Sequence, residues 1–174
     1  MSSNGMYMRV VGQKVKDATD VKIPGGGDGE FFEIMNWSMS MSRTVSMNTD
    51  TKNQDQGTIH FDPINISMLK SGASPLLYSM MLKFDKTYQL EIVETKPASK
   101  GDGVEISHKV TLDEARTIGR SISSIPDSIA HENFTFSYNK TEEDFYIEGD
   151  DSTGTSIGKV GYDRKVNKPT SLAL

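Results

Sequence analysis

The sequence predicts a mainly β domain, a barrel or sandwich of antiparallel strands with one accessory α-helix. Three observations predict it. Apolar residues alternate with polar ones through most of the long runs, the period of a strand with one buried face. Only the stretch after Ser74 and Pro75 carries apolar residues at the three-and-four spacing of a helix. The connections are polar and rich in Gly, Asp, Asn and Ser, the residues of turns. The 174 residues fit one domain spanning 1–174, with enough chain to bury a core and no internal repeat or dividing linker.

In chain order, the first strand is expected over 7–11, followed by a Gly-rich turn over 25–29. A long run then covers 31–47. Within it Met35, Trp37, Met39 and Met41 alternate with Asn36, Ser38, Ser40 and Ser42, whereas Phe32 and Ile34 lie on the other parity. Either a bulge shifts the register near Met35 or both faces are covered there. The methionines suit an adaptable contact face as well as plain core packing. Residues 48–57 are wholly polar and read as a long exposed loop. A second strand runs over 58–68, with its parity switching at Pro63, where a bulge or edge position is expected.

The helix is placed over 75–83, with Ser74 as its cap, Pro75 in its first turn and a stripe of Leu76, Leu77, Met80 and Met81. Strands follow over 87–94 and 104–112, joined as a hairpin by the turn 96–103. Further strand-like runs cover 118–123, 129–138 and 145–147. The tail, 149–174, is rich in Gly, Asp, Ser and Thr and reads as an extended or loosely packed arm.

Composition excludes several chemistries. Without cysteine there is no disulfide, thiolate metal site or cysteine nucleophile. With 19 basic and 24 acidic residues the net charge is −5, and no Lys/Arg run forms the basic face that nucleic acid requires. No apolar run reaches the roughly 20 residues of a membrane helix, so no stable membrane insertion is expected. The N-terminus lacks the apolar segment of a signal peptide.

His60, His108 and His131 have no ligand-like spacing and read as structural. The glycines at 25–29 lack the Gly-Lys-Ser/Thr of a phosphate loop. The acidic clusters at 142–144 and 150–151 match no calcium loop and read as solvated turns. The Asn-x-Ser/Thr triplets at Asn36, Asn65, Asn133 and Asn139 read as chance. No serine has a nucleophile-elbow context, and the chain is expected to have no enzymatic activity and no cofactor.

The order of several short motifs carries a family resemblance. Gly29-Glu30-Phe31-Phe32-Glu33-Ile34 leads to Trp37-Ser38-Met39-Ser40. Phe61-Asp62-Pro63-Ile64-Asn65-Ile66 is followed by Ser74-Pro75-Leu76-Leu77. Asn133-Phe134-Thr135-Phe136-Ser137-Tyr138 comes late, and Gly161-Tyr162-Asp163 with Asn167-Lys168 closes the chain. In this order and over nearly the whole length the sequence resembles the Hcp family, the tube proteins of bacterial type VI secretion systems.

The resemblance implies a small β-barrel of antiparallel strands with one accessory α-helix. It implies a homo-oligomer: hexameric rings that stack into a tube within a contractile sheath, under a spike of the VgrG type, with effectors in the lumen. It further implies assembly in the cytoplasm and export to the exterior without a cleaved signal peptide.

Two segments are candidate subunit contacts. The first is the polar loop, with Asn48, Thr49, Asp50, Lys52, Asn53, Asp55 and Gln56; its alternative is a plain surface loop. The second is the C-terminal arm around Tyr162, Asp163, Asn167 and Lys168; its alternative is packing of a terminal strand onto its own barrel. A related phage-type tail-tube protein is the alternative within the resemblance; outside self-assembly, the alternatives are a monomeric β-barrel that binds a ligand or peptide and a carboxylate hydrolase.

Overall fold

The computed structural model describes residues 4–44, 57–100, 103–147 and 154–174. Among these residues, twelve strands and one helix follow in the order β1 (Gly5–Val10), β2 (Phe32–Glu33), β3 (Asn36–Ser38), β4 (Met41–Arg43), β5 (Ile59–Phe61), β6 (Ile64–Leu69), α1 (Ser74–Leu82), β7 (Tyr88–Pro97), β8 (Val104–Ser123), β9 (His131–Ser137), β10 (Lys140–Ile147), β11 (Thr155–Asp163) and β12 (Lys168–Ser171). The mainly β fold with one helix is as the sequence predicts.

β8 organises the molecule. Its N-terminal half pairs with β7 on one edge and β10 on the other, and its C-terminal half pairs with β9. β9 and β10 are consecutive, so they run back along β8 as one long hairpin arm. β9 pairs with β6, β6 with β3, β2 with β1, and β1 with β7.

The pairings close because the chain from β2 to β3 changes partners at one step. Ile34 N donates to Met6 O, whereas Met35 N donates to Ser67 O. The shift expected near Met35 is this change of partner: Phe32 and Ile34 are buried, Met35 is 47% exposed, and Trp37 and Met39 turn back to the core. The single long strand expected over 31–47 is therefore three short ones among its described residues. The run 58–68 likewise breaks at Pro63 into β5 and β6.

The barrel interior is filled by Met8, Val10, Phe32, Ile34, Ile64, Ile66, Met68, Leu90, Ile92, Val110, Leu112, Phe134 and Phe136. Burying each such side chain contributes about 1.5–3 kcal/mol. Leu77 and Met80 of α1 join this core, and Thr117 Oγ1 donates to Leu77 O at 3.1 Å.

Ser74 does not cap α1. The N-cap position is Ala73, and the Ser74 hydroxyl instead donates to buried Glu132. Arg120 completes that site with a 3.1 Å bond from Nε and an ion pair from Nη2 to Glu132 Oε1, and its guanidinium lies over the Tyr78 ring. A carboxylate with no exposed surface therefore ties β9 to α1 and β8.

Residues 12–31 lie across the outer face of β1 and β7. Ile23 and Phe31 pack with Tyr7, Val93 and Ile106 into a second apolar cluster. Arg9 bridges Glu30 at 2.9 Å and Glu91 at 2.6 Å, and Lys109 reaches Glu91 at 3.0 Å. The segment is threaded closely past the helix: a Cβ on Gly72 would sit 1.8 Å from Lys16 O, so only glycine fits there.

Three further regions differ from the sequence reading. Runs 104–112 and 118–123 are one strand, because Asp113, Ala115 and Arg116 remain paired although this stretch interrupts the apolar pattern. The acidic cluster 142–144 lies inside β10, not in a turn, and Asp144 is buried where it accepts from Tyr146 Oη at 2.9 Å and Ser156 Oγ at 2.5 Å. The described part of the tail forms β11 and β12, which extend the sheet beyond β10.

Candidate assembly surfaces

Two surfaces stand out. The first is the outer face of β3, β6, β9 and the C-terminal half of β8. Side chains alternate across a strand, so once Ile64, Ile66, Phe134 and Phe136 fill the barrel, their neighbours must point outward. Those neighbours include Asn65, Ser67, Asn133 and Thr135, joined by Asn36, Ser38 and Ser121 on the flanking strands.

None of these seven residues is charged and none is large and apolar; the paired Leu69 and His131, also exposed, bound the patch at one end. Residues within the patch hydrogen-bond across the strands. Thr135 Oγ1 donates to Asn65 Oδ1 at 2.7 Å, Ser67 Oγ donates to Asn133 Oδ1, and Asn133 Nδ2 donates to Ser121 Oγ at 3.3 Å. Three of the chance Asn-x-Ser/Thr triplets supply part of this carpet.

The second surface is the corner where β8 bends and β9 passes into β10. Glu114 has a positive φ of 53°, which turns β8 between its two halves. Its carboxylate is held by Asn139 Nδ2 at 2.8 Å and Lys165 Nζ at 2.5 Å. The Lys165 hydrogen bond, then that of Asn139, keeps Glu114 below the usual carboxylate range. Tyr138 is buried, donates to Asp62 O at 3.1 Å, and burial pushes its hydroxyl up to about 12.

The C-terminal candidates meet at this corner. Tyr162, Asp163, Asn167 and Lys168 all belong to the β11–β12 hairpin. Asn167 takes the left-handed turn position with φ of 55°, and its Oδ1 accepts from Tyr162 Oη at 2.6 Å. Asp163 pairs with Lys140 at 3.0 Å and accepts from Lys165 N at 2.9 Å; the Lys140 bond holds its carboxyl below the usual range. Lys168 is exposed opposite Asp163. Arg164 N donates to Asn139 O and Arg164 Nη1 to Tyr138 O, clamping the hairpin to the corner.

Asn48, Thr49, Asp50, Lys52, Asn53, Asp55 and Gln56 lie outside the described residues. Only Gly57 of that loop is described, at the foot of the β4–β5 ladder, where Thr44 N donates to Thr58 O at 3.2 Å.

A cavity of about 250 Å³ opens between the β4–β5 ladder and the β10–β12 sheet, with walls that include Met41, Phe61, Thr141, Glu143, Tyr162 and Leu172. The rings of Phe61 and Tyr162 lie 5.1 Å apart in its wall.

The three histidines do not converge. His108 lies between Trp37 and Phe145, with Nε2 3.0 Å from Glu143, while His60 and His131 are exposed on β5 and β9. Among the described residues no three metal-binding side chains form a cluster. No described helix is long and apolar enough to cross a membrane.

Sequence reasoning missed the neutral carpet and the cavity. The signal for the carpet was present in the uncharged half of each alternating strand. The cavity had none, because it joins residues from opposite ends of the chain.

The architecture defines a single-helix antiparallel barrel with a C-terminal sheet extension. The chain belongs to the Hcp family: the profile described as type VI secretion system effector, Hcp, matches residues 26–145. Among curated proteins, none matches the sequence significantly. Solved structures share the fold. One described as a type six secretion system protein is 14% identical with a TM-score of 0.78, covering 97% of this chain and 100% of its own. Hcp1 from Salmonella typhimurium is 17% identical with a TM-score of 0.67, covering 97% and 99%. A type VI secretion system effector from Yersinia pestis is 12% identical with a TM-score of 0.60, covering 91% and 98%.

Proposed function

We propose that the chain is a structural tube subunit that assembles into hexameric rings, and that the rings stack into the inner tube of a type VI secretion apparatus. Its partners are further copies of itself, a contractile sheath and a VgrG-type spike. It assembles in the cytoplasm and leaves the cell when the sheath contracts. It acts by assembly and not by catalysis.

The observation that carries this reading beyond family membership is the neutral carpet of Asn65, Ser67, Ser121, Asn133 and Thr135. A tube wall that passes protein cargo needs a face that neither holds charge nor exposes apolar area. Uncharged hydroxyls and amides already bonded to one another supply such a face, so the carpet is assigned to the lumen. Effectors carried there touch a wetted, weakly adhesive surface. The loop 48–57 and the hairpin bearing Tyr162, Asp163, Asn167 and Lys168 are assigned to contacts between subunits or rings.

Negative-stain electron microscopy with light scattering tests this function. Six-fold rings at the matching mass are expected. A monomer that persists at high concentration contradicts the reading and favours a β-barrel binding module.

A further inference from the structure

We propose that the cavity between the β4–β5 ladder and the β10–β12 sheet receives Phe84 of a second copy of the chain. The inference rests on the self-assembly reading and supplies it with a specific contact.

The cavity has three properties that describe its occupant. Its walls are largely apolar, and Met41 and Leu172 on its rim are half exposed. It holds about 250 Å³, more than the roughly 150 Å³ that accepts a benzene ring in a protein interior. It also contains a polar mismatch: Thr141 is only 6% exposed, yet its hydroxyl has no hydrogen-bond partner. A buried unpartnered hydroxyl in a native fold calls for an explanation, and a donor brought by a docked partner is one. Glu143, which also meets His108 Nε2 at 3.0 Å, adds a carboxylate to the same wall. The occupant is therefore an apolar ring with a cation beside it.

The chain carries such a group elsewhere on its surface. Phe84 follows α1 and is 83% exposed, the most exposed aromatic side chain among the described residues. Lys83 precedes it, and Lys86 follows Asp85. The Lys86 ammonium lies over the Tyr88 ring, so this turn already presents a positive charge next to a projecting phenyl group. In the docked state a lysine ammonium donates to Thr141 Oγ1 and faces Glu143, while the phenyl ring fills the space beside Phe61 and Tyr162.

Knob and cavity are different patches of one chain, so the contact is heterologous. Each added copy presents a free knob and a free cavity, and the series ends only by closing into a ring.

The cysteine-free sequence makes the test direct. Phe84→Cys and Leu172→Cys are introduced in separate chains, which are mixed and oxidised. A disulfide-linked dimer is expected from the mixture and not from either variant alone. Two further variants are compared with the wild type by light scattering. Phe84→Ala is expected to raise the concentration for half-assembly about tenfold or more, the effect of removing a central aromatic anchor. Thr141→Val is expected to weaken assembly while leaving the monomer as stable as before or more so, because it removes an unsatisfied hydroxyl.

Wild-type rings with no mixed disulfide and an unchanged Phe84→Ala midpoint overturn this contact and leave the self-assembly reading intact. A wild-type chain that stays monomeric overturns both.

Discussion

The two halves of β8 present opposite outer surfaces. Outside the N-terminal half, residues 12–31 cover the sheet with Ile23 and Phe31, and the ion pairs Glu30–Arg9–Glu91–Lys109 bind that cover down. Outside the C-terminal half no described segment covers the sheet, and its surface is mostly Asn, Ser and Thr, with exposed Leu69 and His131 paired at one end. One strand, bent at Glu114, thus belongs to a closed structural wall and to an open neutral one.

The comparison can be broken most strongly from inside. Phe134→Ala removes a fully buried ring from beneath the open face and should cost about 3–5 kcal/mol, read as a lower urea midpoint. Arg120→Ala leaves Glu132 buried without its cation and should cost about 3 kcal/mol or more in the same measurement. Phe31→Ala should loosen the cover without emptying the barrel. Limited proteolysis is then expected to cut within residues 12–31 before the strands.

Thr135→Lys on the open face should change monomer stability by roughly 0.5 kcal/mol or less, the usual range for surface substitutions. In the proposed hexamer it should slow passage of an anionic effector differently from a cationic one. Equal passage of both would remove the carpet from the cargo route.

The smallest expected effect concerns pH. Asp163 and Glu114 are held below the usual carboxylate range by Lys140 and Lys165, so each binds its proton more weakly in the folded state than in the unfolded one. Their contribution is complete above the ordinary carboxylate range, and it is lost as pH falls below about 4 through the depressed folded values. Hydrogen exchange in β11 and β12 should accelerate there before exchange in β6 and β9. Simultaneous acceleration of all four strands would show that these pairs do not govern hairpin docking.

Much of the barrel was legible in the sequence because one-sided burial writes a period of two. Leu90 and Ile92, Val110 and Leu112, and Phe134 and Phe136 all show it. β10 was legible only at its end, because buried Thr141 and Asp144 are polar and their burial depends on β11 and β12. The bend at Glu114 looked like a break between strands, since its pairing is set by Asn139 and Lys165, distant in sequence. The Ser74 hydroxyl was read as a local cap, but its partner Glu132 lies 58 residues away.

The four C-terminal candidates proved to be one hairpin because Asn167 makes its turn. Their packing against the corner satisfies the intrachain alternative and leaves their role between subunits to experiment. The contrast follows from range: side-chain alternation is local, whereas corners, buried ion pairs and cavities are made by residues that only the fold brings together.

A cryo-electron microscopy reconstruction of the assembled protein tests the central claim most directly. The account predicts a six-fold ring whose inner wall is the face bearing Asn65, Ser67, Asn133 and Thr135. A ring with that face turned outward, or particles that remain monomeric, would contradict it.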